Sequence, residues 1–209
     1  WQKAEDAVRK TLDELKIAYQ EAIGEAAFYG PKIDIQVKTL SGKVITFATI
    51  QLDFLLPERF DLTYINENGE KVRPVMIHRG LISTYERLIS ILLEQYAGAF
   101  PLWLAPVQVN IIPVSMEHHM EYANKIKDLL EEENIRVEIN TKEDKMGYKI
   151  RESQMQKIPY TLVLGDKEKD NNSVNYRTYN SNESIELNID EFITKLKEEI
   201  KNKKINIDK

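Results

Sequence analysis

The sequence predicts an α+β half followed by a three-layer α/β half, and three observations carry that division. Between residues 32 and 78, runs that alternate apolar and polar side chains are joined by short turn signals, the mark of antiparallel hairpins. From Val107 onward, strand-like runs alternate with helical periods, the mark of a sheet that is at least partly parallel. Between the two, Phe100-Pro101-Leu102-Trp103-Leu104-Ala105-Pro106 carries two prolines and reads as a junction with an apolar, packed body. The expected domains are therefore 1–103 and 104–209.

Each element has its own signal. Ala4, Ala7, Val8, Leu12 and Leu15 recur at helical spacing, so residues 3–16 are read as an amphipathic helix. Ile17-Ala18-Tyr19 is expected to be a short strand. Gly24-Glu25-Ala26-Ala27-Phe28-Tyr29-Gly30-Pro31-Lys32 sets glycine and proline around an aromatic pair and predicts a constrained loop. Ile33, Ile35 and Val37 alternate with polar neighbours, Ser41-Gly42 signals a turn, and Val44 to Leu52 returns as a second strand. Asn66-Glu67-Asn68-Gly69 is a hairpin turn between Asp61–Ile65 and Lys71–His78. Val75 to Arg79 reads as a buried strand that ends in a histidine and turns at Gly80. Ile82, Tyr85, Ile89, Leu92, Leu93 and Tyr96 then form the apolar stripe of a helix over about 81–97, with Arg87 off the stripe and Gly98 as its stop.

In the second half, Val107, Val109 and Ile111 predict a strand, and Ser115 is the expected cap of a helix through Met120, Ala123, Ile126 and Leu130. Ile135–Ile139 and Tyr160–Leu164 are strands, Met146 to Gln156 a helix, and Asp170–Ser173 a turn into the strand Val174–Arg177. Ile189, Phe192, Ile193, Leu196 and Ile200 give the last helix, and the charged tail from Lys201 is expected to fray.

Composition narrows the function classes. The 42% hydrophobic and 30% charged content is that of a globular protein, and no run approaches a membrane span. The absence of cysteine excludes disulfides and makes a cytosolic setting the default. A net charge of −5 argues against phosphate binding over the whole surface but permits a local basic face. The chain opens at Trp1, inside a helical pattern, and is expected to be a piece of a longer protein.

Few residues point to chemistry on their own. There is no glycine-rich phosphate loop, no supported Ser-His-Asp grouping and no paired-cysteine metal site. His78 is alone, and one histidine does not make a zinc site; by itself it reads as a hydrogen-bonded core or edge residue. Arg87 by itself reads as a surface ion-pair partner, with Glu86 and Glu94 near in sequence. Thr46, Thr49 and Gln51 are read most simply as solvent-facing or locally hydrogen-bonded. His118 and His119, at a helix start, are expected to be solvated. The basic residues between Lys142 and Arg177 are interleaved with Glu143 and Asp144; a solvated mixed face and a patch that positions phosphates while a few side chains read bases both fit.

A family resemblance changes those readings. The 24–32 loop, Thr49-Ile50-Gln51-Leu52-Asp53-Phe54, Pro74-Val75-Met76-Ile77-His78-Arg79, the 100–108 stretch, and Ile158-Pro159-Tyr160 with Gly165-Asp166-Lys167-Glu168 together resemble the bacterial threonyl-tRNA synthetases, in order and at that family's spacings. The Phe28-Tyr29-Gly30-Pro31-Lys32 loop fits that family better than its prolyl- or histidyl-specific relatives. The resemblance implies an antiparallel class II sheet, incomplete here, followed by an anticodon-binding domain on a mixed five-stranded sheet. It implies that threonine and ATP, with Mg2+, form threonyl-adenylate and that threonine passes to tRNA(Thr).

In that family the histidine matching His78 is one of three zinc ligands, the others being a cysteine and a histidine expected upstream of Trp1. Zinc binding the threonine hydroxyl rejects valine, which an apolar pocket alone would do poorly. Arg87 resembles the third class II motif's arginine, which stacks on adenine and meets phosphate oxygens. Lys32 and Gln51 join Arg87 as expected catalytic residues. Tyr29, Thr49 and Thr84 are expected to contact amino acid or ATP, whereas Thr46 stands where some relatives have glutamine. Glu168 and Arg177, with Arg151 and Glu143 or Asp144 nearby, are the expected anticodon readers. The first two class II motifs, with their α-phosphate arginine, should precede Trp1, so this chain alone is expected not to aminoacylate. The whole protein is expected to be a cytoplasmic homodimer with no membrane association. The competing reading is a non-catalytic tRNA-binding or regulatory module of the same shape.

Overall fold

The computed structural model describes residues 1–205 and divides into two compact units, Trp1–Glu94 and the chain from Gln95. The first begins with helix α1 (Gln2–Glu14), which buries Ala4 and Leu12. Ile17–Tyr19, expected as a strand, has no regular structure; it is too short for alternation to declare itself, and among the described residues no strand pairs with it. The hairpin of β1 (Lys32–Lys38) and β2 (Val44–Asp53) forms as expected, in a register that sets Lys32 against Gln51 and Asp34 against Thr49. A bulge between Ile35 and Gln36 leaves Phe47 as the extra residue.

After the short helix α2 (Leu55–Arg59), the predicted second hairpin shrinks to β3 (Tyr64–Ile65) and β4 (Lys71–Val72). Pro74 interrupts the run Lys71–His78, because it has no N–H to give to a ladder. The remainder becomes β5 (Met76–Gly80), which leaves that hairpin and pairs antiparallel with β2, giving the order β1-β2-β5. Within this chain the expected burial is not met: β5 stands at the edge of the three described strands, and Ile77 is 61% exposed. Helix α3 spans Tyr85–Tyr96, shorter at its start than the pattern suggested. Its stripe is only partly covered. Tyr96 is buried and Leu92 half-buried, while Ile82, Tyr85, Ile89 and Leu93 are exposed.

The second unit holds the larger core. Its sheet runs β10-β9-β8-β6-β7, built from β6 (Val109–Pro113), β7 (Val137–Ile139), β8 (Tyr160–Leu164), β9 (Ser173–Thr178) and β10 (Ile185–Asn188). β6 is parallel to both β7 and β8, and β8-β9-β10 is antiparallel, so the sheet is mixed and five-stranded as expected. Every residue of β6 is buried. Such a strand reads as a continuous apolar run because both faces are covered. On one face, α4 (Met116–Glu132) and α7 (Ile189–Lys201) pack Tyr122, Ile126, Leu130, Phe192 and Leu196 against Val109, Ile111, Leu162 and Val174. On the other, α5 (Met146–Met155) ties to the sheet through Ser153 and Thr161, whose buried hydroxyls lie 2.6 Å apart. The junction is packed: Leu102 is buried, and Arg136 donates to Ala105 O.

Two elements of this unit gave no sequence signal. α6 (Asp166–Asn171) is a charged single turn and a half without apolar period, and β10 is a short exposed edge. His119 also departs from expectation. It is buried because its Nδ1 accepts from Ser115 N at 2.9 Å and its Nε2, carrying the proton, donates to Asp166 at 3.0 Å. The expected fraying of the tail falls partly on residues 206–209, which lie outside the described residues.

Candidate functional site

The two-residue period of a strand puts alternate side chains on one face. Along β2 this places Thr49, Gln51 and Asp53 together, and register adds Asp34 and Lys32 from β1 and His78 from β5. One face of the three-stranded sheet is therefore a polar row, and each member is tied to another. Asp34 accepts from Lys32 Nζ at 2.6 Å with one oxygen and from Thr49 Oγ1 at 2.7 Å with the other. Burial works to raise the Asp34 pKa, but these two donors outweigh it and hold the carboxyl below its ordinary value. Tyr29 donates to Gln51 Oε1 at 2.5 Å, and its ring meets that of His78 edge-on at 5.8 Å.

Tyr29 reaches this row because its loop is pressed against β2. Leu52 N donates to Pro31 O and Phe54 N to Tyr29 O. Gly30 between them has no room for a side chain, since a Cβ there would fall 2.1 Å from Leu52 O. Thr49 and Gln51 thus find their partners away from their own segment, in Asp34 across the β1–β2 pair and in Tyr29 of the 24–32 loop, within a row that also contains His78.

His78 is held by Asp53, a residue the sequence reading did not single out. Asp53 is fully buried; its Oδ2 lies 2.8 Å from His78 Nε2, and its Oδ1 accepts from Leu55 N and Leu56 N at the start of α2. Burial raises the Asp53 pKa, and His78 with the two amides overcomes this, so the group is a carboxylate. The signal for it lay in Thr49-x-Gln51-x-Asp53, which keeps one face polar, and in an aspartate just before Leu55-Leu56, where a cap belongs. Zinc is the metal the family resemblance implies. An imidazole anchored at one nitrogen and 39% exposed fits one ligand of such a site. Among the described residues no three His, Cys, Asp or Glu side chains converge to complete one.

Thr84 and Arg87 sit together at the start of α3, both exposed; Arg87 N donates to Thr84 Oγ1 at 3.4 Å. No hydrogen bond or ion pair joins them to the polar row among the described residues.

The predicted anticodon readers lie in the second unit. Glu143 precedes α5 and Arg151 lies on it, both exposed. Glu168 is buried and accepts from Gly165 N at 2.9 Å, closing the first turn of α6. Arg177 stands on β9 opposite Thr161 in β8, on the α5 side of the sheet. Its Nε is buried with no partner, a state shared among the described residues only by Trp103 Nε1. The four predicted readers make no direct contact with one another among the described residues.

Comparison with known proteins covers both units. Residues 2–96 match the family described as tRNA synthetase class II core domain (G, H, P, S and T), and residues 108–199 match the one described as anticodon binding domain. The chain is 56% identical over 205 residues to a threonine–tRNA ligase of Oceanobacillus iheyensis and 57% identical over 204 residues to that of Staphylococcus aureus, in each case over 98% of this chain and 32% of the relative. It thus spans about a third of the length of the curated relatives it matches. Among solved structures, the RNA binding domain of threonyl-tRNA synthetase from Cryptosporidium parvum superposes with a TM-score of 0.86 at 34% identity, over 95% of this chain and 50% of that one. No described helix is long and apolar enough to cross a membrane.

Proposed function

The chain belongs to the class II aminoacyl-tRNA synthetases of the threonyl type, and on that premise we propose that it is the part of a threonine–tRNA ligase that holds one side of the amino-acid and ATP site together with the anticodon reader. In the whole protein the threonine carboxylate attacks the α-phosphate of ATP, with Mg2+, giving threonyl-adenylate and releasing pyrophosphate, and the threonyl group then passes to a hydroxyl at the 3′ end of tRNA(Thr) with release of AMP, in the cytoplasm and as a homodimer. The observation that carries this reading is the polar row Lys32, Asp34, Thr49, Gln51, Asp53 and His78, completed by Tyr29. A sheet that lined up six polar side chains only to meet solvent would have no need to fasten each to another.

Roles follow from chemistry. Lys32 is a point charge for the carboxylate of threonine before reaction or the α-phosphate of the adenylate after it. Tyr29 and Gln51 orient the amino acid beside His78, and Thr49 contributes a hydroxyl towards ATP. Arg87, with Thr84 at the same helix start, presents a planar cation to adenine and phosphate. Zinc, when bound at His78 and ligands from elsewhere in the whole protein, supplies a Lewis-acidic centre for the amino and hydroxyl groups of threonine. In the second unit Arg177, Arg151, Glu143 and Glu168 face anticodon bases and their backbone.

The test is His78→Ala in the full-length protein, followed by threonine-dependent ATP–pyrophosphate exchange and by zinc content. Loss of both is expected; normal threonine activation overturns the zinc role. The 209-residue chain by itself is expected to show neither exchange nor stoichiometric zinc, and either one would overturn the division of the site.

A further inference from the structure

Asp53 spends more of its bonding on His78 than a helix cap requires. Its Oδ1 already takes both amides that open α2, Leu55 N at 2.9 Å and Leu56 N at 3.0 Å. Its Oδ2 is equally buried and must also find a donor. His78 Nε2, 2.8 Å away, is that donor. A carboxylate only accepts, so the ring nitrogen facing it carries the proton, and the neutral ring keeps its lone pair on Nδ1. The ring does not swing freely, because Tyr29 meets it edge-on at 5.8 Å and Tyr29 is itself pinned through its hydroxyl to Gln51. Gln51 is the register partner of His78, while Asp53 lies on the diagonal two residues along.

We propose that Asp53 is a positioning residue: it locks His78 as the Nε2–H tautomer and thereby presents Nδ1, and not Nε2, as the atom that ligates the metal. The proposal rests on the zinc reading above and deepens it by naming the ligating atom and the group that selects it. A ligand histidine commonly gives its other N–H to a carboxylate, which fixes the tautomer and raises ligand basicity.

Asp53→Asn separates this from plain capping. The amide keeps its oxygen for Leu55 N and Leu56 N but turns an NH2 towards Nε2. That nitrogen must then accept, and the proton moves to Nδ1, where it blocks the metal. Two measurements follow. In the 209-residue chain, which has three histidines, two-bond 15N–1H spectra at mildly alkaline pH, assigned with His78→Ala, should show His78 protonated at Nε2 in the wild type and at Nδ1 in Asp53→Asn. In the full-length protein, competition against a chromophoric chelator should show zinc binding weakened roughly 10–100-fold by Asp53→Asn, with thermal melting in chelator close to wild type. The wild-type spectrum stands even where the variant folds poorly, and an Nδ1–H ring there overturns the proposal. Unchanged zinc affinity in Asp53→Asn, beside loss of zinc in His78→Ala, also overturns it while leaving the zinc reading intact. Retention of zinc by His78→Ala sinks the zinc reading and this proposal with it.

Discussion

Thr49 donates to Asp34 across the β1–β2 pair at 2.7 Å, from the position that register places directly opposite. The other oxygen of Asp34 holds Lys32 Nζ at 2.6 Å, so one carboxylate aims two side chains that the proposed site uses. Asp34→Asn keeps the size and loses the charge. In the full-length enzyme it should raise the KM for ATP and leave the KM for threonine nearly constant, because Tyr29, Gln51 and His78 are fastened independently of Asp34. A charge-assisted hydrogen bond is worth about 1.5–3 kcal/mol, so a rise of roughly tenfold or more is expected. Parallel changes in both KM values would show that Asp34 merely supports the sheet.

Gly30 governs where Tyr29 sits. An added methyl would fall 2.1 Å from the carbonyl oxygen of Leu52, a backbone atom that moves only if the loop or β2 moves with it. Gly30→Ala should destabilise the first unit by roughly 1–3 kcal/mol, read from denaturant unfolding. In the full-length enzyme it should weaken threonine activation through the displaced tyrosine. Wild-type stability would show that the close approach of Gly30 to Leu52 does not hold the loop in place.

The second half of the chain was the more legible in sequence, for a physical reason. Its core strands are buried on both sides, so β8 shows as a nearly continuous apolar run and β6 through Val107, Val109 and Ile111, and Ser115 caps α4 as its residue type suggests. The first half is less legible, because its signals are ambiguous. Met76 to Gly80 is as apolar at its start as a central strand yet stands at the edge of the three described strands, and the α3 stripe is more apolar than its cover within this chain, about a third of the length of its relatives, accounts for at Ile82, Tyr85 and Ile89. Of the polar row, alternation exposed Thr49 and Gln51, but only the family resemblance raised His78 above a solitary histidine. Asp53 and Asp34 stayed hidden because each acts through another side chain, and such pairing exists only once register is known. The burial of His119 is illegible for the same reason, since its partner Asp166 lies 47 residues away.

The pH limits of the two units should differ. Asp34 has a folded pKa below its ordinary value, so its contribution is present above the unfolded pKa, about 4, and is lost as pH falls through the lower folded one. Tyr160 runs the other way. Burial, and the hydroxyl's bond to Glu199 Oε2 at 2.7 Å, raise its pKa. Its contribution is therefore complete below the unfolded value near 10 and is lost as pH rises through the higher folded one. Hydrogen exchange resolved by peptide should show Asp34→Asn flattening the acid flank of the first unit only, and Tyr160→Phe flattening the alkaline flank of the second only. Flanks unaltered by both changes would assign the pH dependence to other groups.

Arg177 gives the sharpest separation between the two ends of the proposed function. Its Nε is buried without a partner inside the chain, and a buried donor left unmet is costly unless a ligand or water meets it. Arg177 as a whole is only half-buried, and on the proposed reading the rest of its guanidinium would meet a base edge or phosphate of the anticodon loop. In the full-length enzyme Arg177→Ala should therefore weaken tRNA-dependent aminoacylation by an amount equivalent to roughly 1–3 kcal/mol. ATP–pyrophosphate exchange without tRNA should stay nearly unchanged, because no residue of the polar row depends on β9. Arg177→Lys should rescue little, since an ammonium cannot reproduce the planar fork. If the loss is equal in tRNA-free exchange, Arg177 acts on the stability of the chain and reads no base.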